Sequence, residues 1–215
     1  MPQLNFNRTK KIIDKYKLPF ARSFLIKSSE EAVKRSKELG FPVAMKISSP
    51  DIIHKSDAGC VAAEIKDEDH AKKAYEDIIK NAKKKKAKIE GVIVQKNISG
   101  VEAIIGMKSD PQFGPVILFG MGGIFVEIFE DISLRIAPID KKIAEEMIDE
   151  IRSSDILKGA RGREPVNIKS LKDILVKISN LSMENKKLES IDLNPVIVDK
   201  KTAKIVDARM MEYEK

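Results

Sequence analysis

The sequence contains no tryptophan and a single cysteine among 215 residues, and aromatic residues make up only 5% of it. One cysteine excludes an internal disulfide and leaves no cysteine set for zinc, so a reducing, cytoplasmic setting is expected. Gly 11 and Pro 9 are too few for a collagen-like repeat or a low-complexity tether. Long apolar runs are also missing. The longest uncharged stretch, Pro111 to Val126, is interrupted by glycine and proline and falls short of the roughly 20 residues a spanning helix needs. The opening residues Met1 to Arg8 carry no apolar core of a secretory leader, so none is expected.

What is present is a core-forming, well-solvated composition, 42% hydrophobic and 34% charged. That excludes a wholly disordered chain. Heavy lysine and glutamate use leans toward a heat-adapted source. The formal net charge of +7 suits an anionic partner: a nucleotide, a nucleic acid, a coenzyme or an acidic protein face. The length fits one to two domains.

Helical spacing predicts a first helix over Asn7–Lys17, ended by Pro19, and then a strand over Phe20–Ile26. Ser28 with Glu31 forms a capping-box signature for a helix closed by Gly40. Phe41–Ile47 and Cys60–Ile65 read as strands around a patternless segment, Ser48 to Gly59, and Asp67 caps a helix running to about Asn81. Further strands are expected at Ile89–Lys96 and Val101–Met107, joined by a turn at Ser99–Gly100, then at Pro115–Phe119, Phe125–Phe129 and Ile132–Pro138. Ile139–Ser182 reads as mainly helical with a break at Gly159–Arg163. Two last strands, Leu188–Val198 and Ala203–Met210, flank a polar turn. The result is a mixed α/β (α+β) chain without regular βαβ alternation.

Lys46 lies inside the apolar strand run Val43–Ile47. A lysine there either pairs with a core carboxylate or binds phosphate at the mouth of a nucleotide cleft, because a desolvated ammonium needs an anion. His54 is either a solvated loop histidine or an acid, base or phosphoryl acceptor. Lys55 beside it attracts phosphoryl groups, and the small-residue stretch Ser56 to Gly59 offers backbone N–H groups. His70, in a polar helix, reads as surface. Glu102 opens a strand from which a carboxylate can reach a ribose hydroxyl. Asp192, Asn194 and Asp207 sit on the two last strands, either as strand-end caps or as hard oxygen ligands suited to Mg²⁺. The lysine run Lys83 to Lys86 is either a solvated helix end or a nucleic-acid patch, and it lacks interleaved aromatics.

Taken in order, Pro42–Pro50, His54–Gly59, Gly91–Gln95, Gly100–Glu102, Phe119–Gly123, Arg135–Pro138, Ile191–Val196 and Val206–Arg209 resemble an ATP-grasp domain. Specifically, they resemble the beta subunit of ADP-forming acetyl-CoA synthetase, which is related to the beta subunit of succinyl-CoA synthetase. The resemblance spans almost the whole chain. It departs at Cys60, where the family usually has a second glycine, placing a thiol near the phosphate loop. The resemblance implies a two-lobed fold gripping a nucleotide between two mixed sheets. It makes residues 1–215 a single ATP-grasp domain, with lobes at 20–95 and 96–215 and an N-terminal helix within 1–19. It implies that Lys46 contacts the α/β-phosphates beside the Gly59 loop, that backbone groups at Gln95 and Ile98 read adenine, and that Glu102 binds ribose. Asn194 and Asp207 would hold Mg²⁺, with Lys55, Asp192 and Arg135 in support. His54 would relay a phosphoryl group to ADP. ATP and ADP are the implied substrates. An alpha subunit carrying the CoA and acyl-phosphate sites is the implied partner, in an alpha2beta2 assembly, with neither nucleic acid nor membrane involved. Two rival readings are a stand-alone carboxylate–amine ligase of the same fold and a basic nucleic-acid-binding module.

Overall fold

Ser28 accepts a hydrogen bond from the Glu31 amide at 3.2 Å, so the predicted cap opens its helix. Glu31 reaches back one residue further than a capping box requires, accepting from the Lys27 amide at 2.7 Å. The computed structural model describes residues 2–123, 130–162 and 164–214. The chain divides into two units, one of residues 5–7 and 21–98, the other of residues 1–4, 8–20 and 99–215.

The smaller unit is built on β1 (Ser23–Ile26), β2 (Val43–Ser48), β3 (Val61–Ile65) and β4 (Gly91–Lys96). They pair antiparallel in the order β1-β4-β2-β3. Helices α2 (Ser29–Leu39) and α3 (Glu68–Lys84), the latter capped by Asp67, cover one face. Alternation along the strands turns Ile26, Val43, Met45, Ile47, Val92 and Val94 into one buried cluster with Ala71, Ile78 and Ala82 of α3. The opposite parity carries Ser23, Lys46, Ser48, Ile93 and Gln95, also buried but outside that cluster.

The larger unit holds β5 (Val101–Asp110), β6 (Gly114–Met121), β7 (Ile132–Ile136), β8 (Leu188–Val198), β9 (Ala203–Ile205) and β10 (Arg209–Glu212). The path is β10-β8-β5-β6-β7, and β9 also pairs β8. Helix α1 (Phe6–Lys15) contributes Ile13 to its core. α4 (Lys141–Glu150) and α6 (Ile168–Glu184) contribute Met147, Ile148, Leu171 and Ile178 against Ile105, Ile117, Phe119 and Leu193. Between them lie α5 (Ser154–Leu157) and a short 3₁₀ turn over Ala160–Gly162, near the predicted helix break.

Several sequence expectations need correction. β1 begins at Ser23 rather than Phe20, and Phe20 makes only an isolated bridge to Ile205. β4 and β5 follow each other closely but belong to different sheets. β5 runs on to Asp110 because Asp110 Oδ1 accepts from the amides of Gln112 (2.8 Å) and Phe113 (2.9 Å), closing a tight turn into β6. The predicted strand Ala203–Met210 is broken into β9 and β10. Its partner strand has Pro195 at that level, which has no N–H to give the ladder, though the Val206 amide donates to the Pro195 carbonyl (3.0 Å). The strand expected at Phe125–Phe129 lies outside the described residues. Among the described residues no helix is long and apolar enough to cross a membrane.

Candidate functional site

In the small-sheet unit, β2 sits between β4 and β3, so Lys46 has Ile93 on one side and Val61 on the other. Lys46 is 7% exposed. One row along, Gln95 lies between Ser23 and Ala44. Gln95 Oε1 and Ser23 Oγ are buried and have no hydrogen-bond partner among the described residues. Each such atom costs about 1–3 kcal/mol if left unmet, so this face is made for a polar ligand or ordered water. Ile98, half-buried, follows the end of β4.

The connection from β2 to β3 carries His54 on an exposed crest. The chain turns tightly there. The Ala58 amide donates to the His54 carbonyl (3.2 Å), Gly59 to Ser56 (2.9 Å) and Cys60 to Lys55 (2.8 Å). Gly59 has φ +62, a left-handed conformation other residues rarely adopt, and Asn81 Nδ2 on α3 holds its carbonyl at 2.8 Å. Asp51 anchors the other end by accepting from the Lys88 amide at 2.6 Å. Both ends are tied and the histidine is presented outward. Cys60 belongs to the core cluster, and its thiol also donates to the Ala58 carbonyl of the loop at 3.4 Å. Its thiol lies 3.9 Å from the Ile78 carbonyl, and burial pushes its pKa up. The thiol anticipated near the phosphate loop is therefore both buried in the core and bonded to that loop.

In the large-sheet unit the ladder on both sides of the β9/β10 break keeps one register, Ile205 opposite Val196 and Arg209 opposite Asp192. That register sets Asp207, which lies in the break between β9 and β10, opposite an exposed Asn194. Asp192 is next along the same strand face, opposite Gly106 on β5. Glu102, exposed on β5, is fixed through its backbone. Its carbonyl accepts from the Gly122 amide at 2.8 Å, and a Cβ at Gly122 would lie 2.8 Å from that of Glu102. Only glycine allows this approach. Among the described residues no three His, Cys, Asp or Glu side chains gather to hold a metal by themselves. A two-residue oxygen set fits Mg²⁺, which completes its shell with water and phosphate oxygens.

Arg135 lies apart from these groups. β7 is separated from β8 by β5 and β6, and Arg135 pairs with Glu150 of α4 at 2.8 Å. The Ser133 hydroxyl first, and Arg135 second, hold the Glu150 carboxyl below its ordinary value. Sequence reasoning missed Ser23 and Asn81. The first was detectable as the polar residue opening a strand beside Gln95, the second as an amide within an otherwise lysine-rich helix.

Two sheets of this kind, one carrying a buried lysine before a small-residue loop and the other an oxygen pair, define a nucleotide-binding class. The chain belongs to the ATP-grasp family, whose domain profile matches residues 2–211. Within it, the chain groups with the beta subunits of ADP-forming acetate–CoA ligases. It is 49% identical over 205 residues to subunit beta of acetate–CoA ligase (ADP-forming) I of Pyrococcus furiosus, covering 94% of this chain and 88% of that one. A structure of Ca. Korarchaeum cryptofilum acetyl-coenzyme A synthetase 1, in complex with coenzyme A and Ca-AMPCP, superposes with a TM-score of 0.94 at 45% identity, covering 98% of this chain and 93% of that one. Another structure of that enzyme, with coenzyme A and Mg-AMPPCP and a phosphohistidine segment pointing towards the nucleotide site, superposes at 0.85 with 42% identity, covering 98% and 93%.

Proposed function

We propose that this chain is the nucleotide-binding subunit of an ADP-forming acyl-CoA ligase, converting acyl-CoA, ADP and phosphate reversibly to acid, CoA and ATP. The observation that carries the reading is the buried polar face of the small sheet. Lys46 supplies a cation for phosphate, while Gln95 Oε1 and Ser23 Oγ are buried without hydrogen-bond partners among the described residues. The kinship to the Pyrococcus subunit favours this reading over a carboxylate–amine ligase and over a nucleic-acid module.

Lys46 engages the α/β-phosphates, the backbone at Gln95 and Ile98 meets the adenine edge, and Gly59 shapes the phosphate loop. Glu102 accepts from the ribose hydroxyls. Asn194 and Asp207 are the residues that hold Mg²⁺, with Asp192 in support; when bound, the ion offsets charge on the phosphates. His54 accepts and donates the phosphoryl group. Toward ATP, a β-phosphate oxygen of ADP forms a P–O bond as the P–N bond to His54 breaks, and the imidazole leaves neutral. Lys55, next in sequence, offsets charge on the moving group. Arg135, engaged by Glu150, supports the reaction only by ordering β7 against α4. The CoA and acyl-phosphate sites belong to an alpha subunit, assembled with this chain as alpha2beta2.

The test is ADP binding with and without Mg²⁺, followed by thermal midpoint. The midpoint should rise with ADP and rise further with Mg²⁺. Asp207→Ala should remove the Mg²⁺-dependent increment and leave the rest. No shift with either addition would contradict the reading.

A further inference from the structure

Glu189 of β8 has no part in the nucleotide reading, yet it is 9% exposed, and its Oε2 is buried with no hydrogen-bond partner among the described residues. It lines a cavity of about 820 Å³ within the large-sheet unit, alongside Val116, Leu118, Leu134 and Tyr213. That volume falls in the range of small-ligand pockets, roughly 300–1,000 Å³. Leu134 and Tyr213 are 49% and 44% exposed, so the apolar wall is open to an incoming group. Lys108 and Asp110 also line the cavity. Lys108 makes no hydrogen bond to Glu189 Oε2, and its charge acts on Asp110, whose carboxyl is lowered mainly by the Phe113 amide. A carboxylate oxygen only accepts, so the group that satisfies it must bring an N–H or O–H, and a cationic N–H donor also offsets the buried charge. The surrounding surface asks for a hydrocarbon stem behind that group.

We propose that this cavity binds an alkyl guanidinium or ammonium group, the charged head meeting Glu189 and the stem lying along Leu118 and Leu134. A free small molecule and a basic side chain of a partner protein carry this same chemistry.

The proposal is tested by calorimetric titration of the chain with n-hexylguanidinium, with n-hexanol and hexanoate as controls. One saturable site is expected for the cation alone. Glu189→Gln keeps the shape and removes the charge, and should weaken binding about tenfold or more. Leu134→Ser, at the exposed wall, should also weaken it by removing apolar contact with the stem, while ADP binding by both variants reports that they are folded. No saturable binding, equal binding of the controls, or unchanged affinity in folded Glu189→Gln would overturn the proposal. Repeating the titration on the complex with the alpha subunit identifies the source. Loss of the site there assigns it to a basic side chain of the partner, and retention assigns it to a free ligand.

Discussion

Asp131 shows how much one buried carboxylate can hold in place. It accepts from the Arg152 amide (2.7 Å), the Ser153 amide (2.8 Å) and the Ser153 hydroxyl, tying the start of β7 to the end of α4. Burial pushes its carboxyl up, but the Ser153 hydroxyl, then the Ser153 and Arg152 amides, pull harder the other way, and the net shift is downward. A lowered folded pKa means that the contribution is complete above the unfolded value, about 4, and is lost as pH falls through the lower folded value. Asp131→Asn should therefore cost about 1–3 kcal/mol at pH 7. The gap to the parent should narrow below about pH 4. Urea midpoints of both proteins at pH 7 and pH 3 check the sign. At the same scale, His54→Ala should abolish turnover of the assembled enzyme while leaving ADP affinity within about twofold, since an exposed loop residue contributes little to ground-state binding. Activity and calorimetry on one preparation separate the two effects.

At the scale of elements, Gly122 joins β5 and β6 to the candidate ribose residue. Gly122→Ala forces a Cβ to 2.8 Å from the Glu102 Cβ and 3.2 Å from its carbonyl carbon. Relief requires backbone movement, so the variant should lose about 1–3 kcal/mol and bind ADP more weakly than the parent. Denaturation and ADP titration measure both. Much at this scale was legible in the sequence. Ser28 and Asp67 cap their helices because a short oxygen side chain before an apolar-periodic run has few other uses. Leu188–Val198 is a strand as read, the buried Ile191 and Leu193 alternating with Asp192 and Asn194 before the apolar close Val196–Val198, and it sits between β5 and β10. The β9/β10 break was not legible, because its cause lies in Pro195 on the neighbouring strand. The extension of β5 was hidden by Lys108–Asp110, a polar stretch that becomes strand only through the turn Asp110 closes.

At the scale of the whole molecule, residue type announced much of the candidate site, and only pairing positioned it. Lys46 and His54 could be picked out because a lysine in an apolar strand and a histidine before a small-residue loop are unusual. The opposition of Asp207 to Asn194 depends on ladder register, and the isolation of Arg135 depends on strand order; neither can be read along a chain. Ser23 stands out only once strand pairing sets it beside Gln95. The most direct measurement is phosphoryl labelling of this chain in the presence of its alpha subunit, with γ-labelled ATP and Mg²⁺. The account predicts one label that is acid-labile and base-stable, located at His54 and discharged by added ADP. A chain that binds Mg-ATP yet takes up no such label, or takes it up equally as His54→Ala, would contradict it.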